Sequence, residues 1–126
     1  MPELILLLLA GLQLKHFVAD YLLQTPIMLA GKGDLGHPGG YAHAAVHLVG
    51  SALVLVWAGL PPMALIGLLA LEFVLHYGLD YLKARYGGSA GHAETPRRYW
   101  ALHGLDQFLH QLTYVGMLAM VVLILR

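Results

Sequence analysis

Apolar residues run through this chain in blocks too long for a soluble core, and polar residues collect between them. Leu4 to Leu14 carries no charge, nor does Leu48 to Leu71, and Leu109 to Leu125 follows the same pattern. About twenty apolar residues carry a helix across a bilayer, so the blocks predict an integral membrane protein. The first span is expected from about Pro2 to Met28. AGKGDLGHPGG then breaks it. A second span starts near Tyr41 and runs through HLVGSALVLVWAG. Pro61 and Pro62 interrupt the chain next. Proline fits the first turn of a helix and breaks its interior, so a third span starts there and reaches Arg85 or Tyr86. YGGSAGHAETPRR separates it from a fourth, Pro96 to Leu125, with Thr95 as its expected cap.

A count of three spans, with one kinked at the prolines, is the alternative. It fails on length: Tyr41 to Tyr86 is 46 residues, more than twice what one crossing takes. The reading is therefore all-α, four transmembrane helices in a bundle, one domain over residues 1–126.

The basic residues give a direction. Lys32 lies in the first polar loop, and Lys83, Arg85, Arg97 and Arg98 lie in or beside the other. AGLPPM has none. The positive-inside rule then puts both polar loops in the cytoplasm and both termini outside; Arg126 alone dissents. The opening MPELILLLL lacks the basic start of a signal peptide, so it is expected to remain as the first span.

Composition sharpens this picture. The 126 residues are 59% hydrophobic and 11% charged, with a mean hydropathy of +0.69. There is no cysteine, which excludes disulfides and thiolate ligands. Net charge is zero with histidine neutral, so no basic surplus points to nucleic acid. The partner is membrane lipid, and the apolar outer faces leave a homodimer open.

The few ionisable residues are patterned. HFVADYL begins at His16 and HYGLDYL at His76, an offset of 60; HAAVH at His43 and DQFLH at Asp106 are 63 apart. Each half then reads as a helical hairpin, about 2–60 and about 61–126. Two parallel hairpin repeats would be related by an axis along the membrane normal. Residues at i and i+4 share a helix face. Because alternate spans reverse direction, all four pairs fall at one depth, in the cytoplasmic half.

Ionisable groups inside a membrane turn toward a bundle interior. Imidazole and carboxylate together suit zinc, manganese, iron or nickel, and bundles build such sites from inward i,i+3 and i,i+4 pairs. The expected ligands are His16, Asp20, His47, His76, Asp80, Asp106 and His110. Zinc is favoured, as one ion or two. Gln24, His43, Glu72, His103 and Gln107 are candidates for supporting roles or further ligands. Asp20, Asp80 and Lys83 are the catalytic candidates, and Arg97 and Arg98 candidate contacts to a phosphate or lipid head group. A single histidine on a helix is more often a packing residue; four pairs at one depth, with three carboxylates needing cations, favour a metal.

These residues resemble the DUF3307 family of bacterial membrane proteins of unknown function. KHFVADYLLQT, His47, HYGLDYLK and LDQFLHQL carry the resemblance over nearly the whole chain. It implies a multi-pass protein of the bacterial inner membrane. Its characteristic polar positions fall on His16, Asp20, Gln24, His47, His76, Asp80, Lys83, Asp106, Gln107 and His110. A looser likeness is to membrane-bound metal-dependent hydrolases. H-E-x-x-H, a P-loop and a Ser-His-Asp arrangement are missing. Three functions follow for comparison: a metal-dependent hydrolase of a lipid or lipid-linked phosphate, a metal-ion or proton transporter or channel, and a non-catalytic structural or partner-binding protein.

Overall fold

A proline opens every helix. α1 spans Pro2–Phe17, α2 Pro26–Gly31, α3 Pro38–Leu55, α4 Pro62–Tyr86 and α5 Pro96–Leu125. Proline at the first helical position loses nothing, because its missing N–H would be unsatisfied there anyway. The computed structural model describes residues 1–87 and 96–126. The cap expected at Thr95 lies outside the described residues.

The first span departs from expectation. It does not continue to Met28. α1 passes into a single π turn over Val18–Leu22, closed by Leu23 N–H donating to Val18 C=O at 2.9 Å, and the chain then leaves the helix. The cause is Pro26. The residue before a proline is driven to extended backbone, and Thr25 sits at φ −91°, ψ 160°. Its Oγ1 accepts from Met28 N at 3.3 Å and starts α2.

α3 also starts earlier than Tyr41. Asp34 Oδ1 accepts from Gly36 N, and His37 Nδ1 accepts from Gly39 N at 2.9 Å, which caps the helix at Pro38. α2 packs against this end of α3, backbone to backbone. A Cβ on Gly39 would run into the Ile27 carbonyl, and one on Gly40 would lie 3.0 Å from the Gly31 carbonyl. The other end of α3 tightens into a 3₁₀ turn, Val56–Ala58, and stops at Gly59. Gly59 takes φ +65°, a left-handed conformation that glycine adopts without strain. Four spans result, not three.

α1 packs on α3 and α5, and α4 packs on the same two helices. The helices therefore form a ring, and the buried residues divide it into two levels. Leu8 and Leu12, Leu55, Leu68, Met117 and Val121 close one end. His16, His43 and His47, His76 and Asp80, Asp106 and His110 fill the other. Early residues of one helix lie level with late residues of the next, so neighbours are antiparallel. Outside the ring, Leu6, Leu7, Leu53, Met63 and Leu123 are largely exposed. Four helices are long and apolar enough to cross a membrane, and this outer surface suits lipid.

Candidate metal centre

Each side chain of the polar level arrives by helical spacing. His16 and Asp20 stand one turn apart, with Nε2 3.1 Å from Oδ2; His76 and Asp80 repeat the contact at 3.3 Å. α3 supplies His43 and His47. α5 supplies Asp106 and His110, also one turn apart, at 3.3 Å. The π turn holds Asp20 and widens the helix where its carboxylate swings inward; such turns recur at functional sites.

All seven expected ligands come together. Asp20 Oδ1 accepts from His47 Nε2 at 2.8 Å, and Asp80 Oδ1 lies 3.3 Å from His110 Nε2. The imidazoles crowd together, tilted or edge-on to one another: ring centres are 3.9 Å apart for His47 and His76, 4.4 Å for His76 and His110, and 4.7 Å for His43 and His47. His43, expected only in a supporting role, stands at the middle. Its Nε2 is 3.1 Å from Asp20 and 3.5 Å from Asp80.

Among the described residues, two donor groups close tightly enough to hold a cation: Asp20, His43, His47 and His76, and His76, Asp80 and His110. His76 belongs to both. His16 and Asp106 lie outside them. The two nitrogens of His16 face Tyr114 OH and Gln107 Oε1, each at 2.9 Å. Asp106 Oδ2 accepts from Lys83 at 2.9 Å and from Gln107 at 3.3 Å.

Hydrogen bonding alone leaves this centre incomplete. His43 Nδ1, His43 Nε2, His76 Nε2 and Asp106 Oδ1 are buried and make no well-directed hydrogen bond within the described residues, although carboxylates stand near His43 Nε2 and His76 Nε2, and the His110 imidazole near Asp106 Oδ1. Buried polar atoms are nearly always satisfied. Imidazole nitrogens and carboxylate oxygens crowded at these distances, several of them without a well-directed hydrogen bond, fit a divalent cation.

The remaining candidates separate. Gln24 donates to the Asp20 main-chain carbonyl at 3.1 Å, not to the carboxylate. His103 Nδ1 lies 3.4 Å from Lys83 Nζ, away from the crowded histidines. Glu72 is fully buried one turn deeper and pairs with Lys15. Arg97 and Arg98 are exposed at the start of α5.

Three contributors were not expected. Lys15 Nζ reaches Glu72 and also His47 Nδ1, at 3.2 Å. Lys32, read as a marker of orientation, lies 3.2 Å from Asp80. Tyr114 backs His16. Lys15 follows Leu8 and Leu12 by seven and three residues, on the buried stripe, and Tyr114 is one turn past His110. Helical spacing would have found both. Nothing local marks Lys32, which reaches the centre only because α2 packs on α3.

Fold and centre define a class: a multi-pass helical membrane protein with a His/Asp cluster able to hold a metal ion. The chain belongs to the DUF3307 family, proteins of unknown function, whose profile matches residues 4–125. No curated protein and no solved structure matches it.

Proposed function

We propose that this protein is a membrane-embedded, metal-dependent hydrolase of a phosphate ester carried by a lipid. One observation carries the reading: Nε2 of His43 and Nε2 of His76, neither in a well-directed hydrogen bond, crowd Asp20 and Asp80 at the level where Lys32 and Lys83 arrive. Asp20, His43, His47, His76, Asp80 and His110 would hold one or two ions, zinc before manganese, iron or nickel. A divalent ion there would polarise a phosphoryl oxygen and ease deprotonation of water. His16 and Asp106 would orient the holding groups, as hydrogen-bonded neighbours of ligands do.

The chain's own residues supply the rest. The water oxygen bonds to phosphorus, the ester P–O bond breaks, and the alcohol leaves with a proton. Whichever of Asp20 and Asp80 is free of the ion accepts the proton from water and returns it to the departing alkoxide, which leaves as the alcohol. Lys83 neutralises the phosphate. The basic loops support a centre on the cytoplasmic side of the bacterial inner membrane, with both termini outside. The matched contacts of Asp20 with His47 and Asp80 with His110 support two parallel hairpin repeats.

Transport is less well supported. Leu8, Leu12, Leu55, Leu68, Met117 and Val121 fill the opposite half of the ring, and ions do not cross such a layer without polar groups. A purely structural network is disfavoured by the unsatisfied nitrogens.

The test uses purified protein in nanodiscs, loaded with zinc or manganese, offered phosphatidic acid. Release of inorganic phosphate that disappears in Asp80→Asn is expected. Metal-loaded protein that releases none from phosphatidic acid or from a polyprenyl phosphate would refute the hydrolase.

A further inference from the structure

Grooves run along several helix pairs of the bundle. One, of about 670 Å³, lies between α1 and α3. Its one charged member among the described residues is Lys15, whose ammonium turns inward to Glu72 and His47. Nothing in that groove is left to meet a head group.

The groove between α4 and α5 is smaller, about 240 Å³, but differs in chemistry. Leu79, Leu82, Leu102, Leu105 and Leu109 form its walls, and Lys83 and Asp106 are its charged members among the described residues. Asp106 belongs to both surroundings. Its Oδ2 accepts from Lys83 on the groove side, and its Oδ1 lies 3.3 Å from His110 on the side of the centre. Lys83 is the more accessible of the pair, its side chain 36% exposed against 6% for Asp106. An apolar trough in a membrane-spanning bundle thus ends at a cation beside the polar centre.

We propose that this groove seats one chain of an anionic phospholipid, with its phosphate on Lys83. The inference rests on the hydrolase reading for its consequence, since it makes α4/α5 the lateral path of the substrate. The apolar walls match an acyl chain, and the lipid supplies the phosphate that complements Lys83. Continuity through Asp106 sets the phosphate next to the His/Asp cluster. The α1/α3 groove is equally apolar, but its charged group, Lys15, is buried against Glu72 and His47 and offers no accessible cation to a phosphate.

A diazirine-bearing phosphatidic acid in proteoliposomes tests this, with adducts mapped by mass spectrometry and metal content measured on the same samples. Adducts are expected on Leu79, Leu82, Leu105 and Leu109. Lys83→Gln should reduce them about tenfold, the loss of one charge-assisted hydrogen bond. Leu105→Trp, which fills the trough from an exposed position, should reduce them similarly while metal content and elution volume stay unchanged. Adducts spread evenly over Leu14, Val18 and Leu53 as well, or indifferent to both variants, would overturn the groove assignment whatever the metal content. Specific adducts on protein that binds no metal would instead leave the groove standing and remove the hydrolase.

Discussion

Lys15 Nζ and Glu72 Oε1 meet at 2.5 Å, one turn beneath the histidines, with both side chains almost wholly buried. They come from α1 and α4, which face each other across the ring. Removing one partner of such a pair strands the other charge and costs about 3–5 kcal/mol. Lys15→Met and Glu72→Leu should each unfold at clearly lower temperature in detergent. The double variant should regain much of that loss. If the double variant is no better than the singles, the pair is not what holds α1 to α4.

His76 serves both donor groups, whereas His16 serves neither. Elemental analysis should therefore find His76→Ala nearly free of metal, and His16→Ala still loaded but weaker by about 10–100-fold in affinity, as for other residues that orient ligands. Equal loss in both would mean that the ion sits nearer His16 than the donor groups indicate.

Bound metal should also stabilise the fold. At a free concentration about a hundred times Kd, the gain is about 2.7 kcal/mol. A chelator should lower the unfolding temperature, and zinc should restore it. Acid should act in the same direction as the chelator: imidazole and carboxylate must be unprotonated to bind, so protons compete with the ion. The metal-dependent stabilisation is thus expected at neutral pH and lost as pH falls. An unfolding temperature that ignores both zinc and chelator at neutral pH would count against the centre.

Gly39→Ala tests how Lys32 is delivered. The added carbon collides with the Ile27 carbonyl, and overpacking of this kind costs about 1–3 kcal/mol. α2 should shift and draw Lys32 from Asp80. Loss of phosphate release with metal retained is expected; full activity would show that Lys32 is dispensable.

The absence of cysteine permits a direct test of orientation. In intact spheroplasts, a membrane-impermeant maleimide should label Trp57→Cys, near the end opposite the polar centre. It should reach Gly36→Cys only after permeabilisation. The reverse pattern would turn the protein over.

The number of long apolar helices, and which polar side chains gather between them, were legible from the chain alone. Apolar runs and breakers determine how many helices form, because lipid admits no unsatisfied backbone. The i,i+4 pairs determine which groups share a face, and reversal of alternate helices puts those faces at one depth. Desolvation then leaves His16, Asp20, His47, His76, Asp80, Asp106 and His110 nowhere to go but inward. Periodicity could also have revealed Lys15 and Tyr114, which lie on buried stripes beside residues already singled out.

Only the tertiary structure decided the rest. Spacing does not rank ligands, since it says which residues face inward but not how near each ring comes to each carboxylate. The central place of His43 between Asp20 and Asp80, and the retreat of His16 behind Tyr114 and Gln107, depend on how far one helix slides along its neighbour. The end of the first span at Leu22 was open to anyone weighing Pro26, but the π turn before it was not. The approach of Lys32 to Asp80 depends on α2 lying backbone to backbone against Gly39 and Gly40. These are long-range contacts between side chains with no sequence relationship, and packing of the whole ring is what selects them.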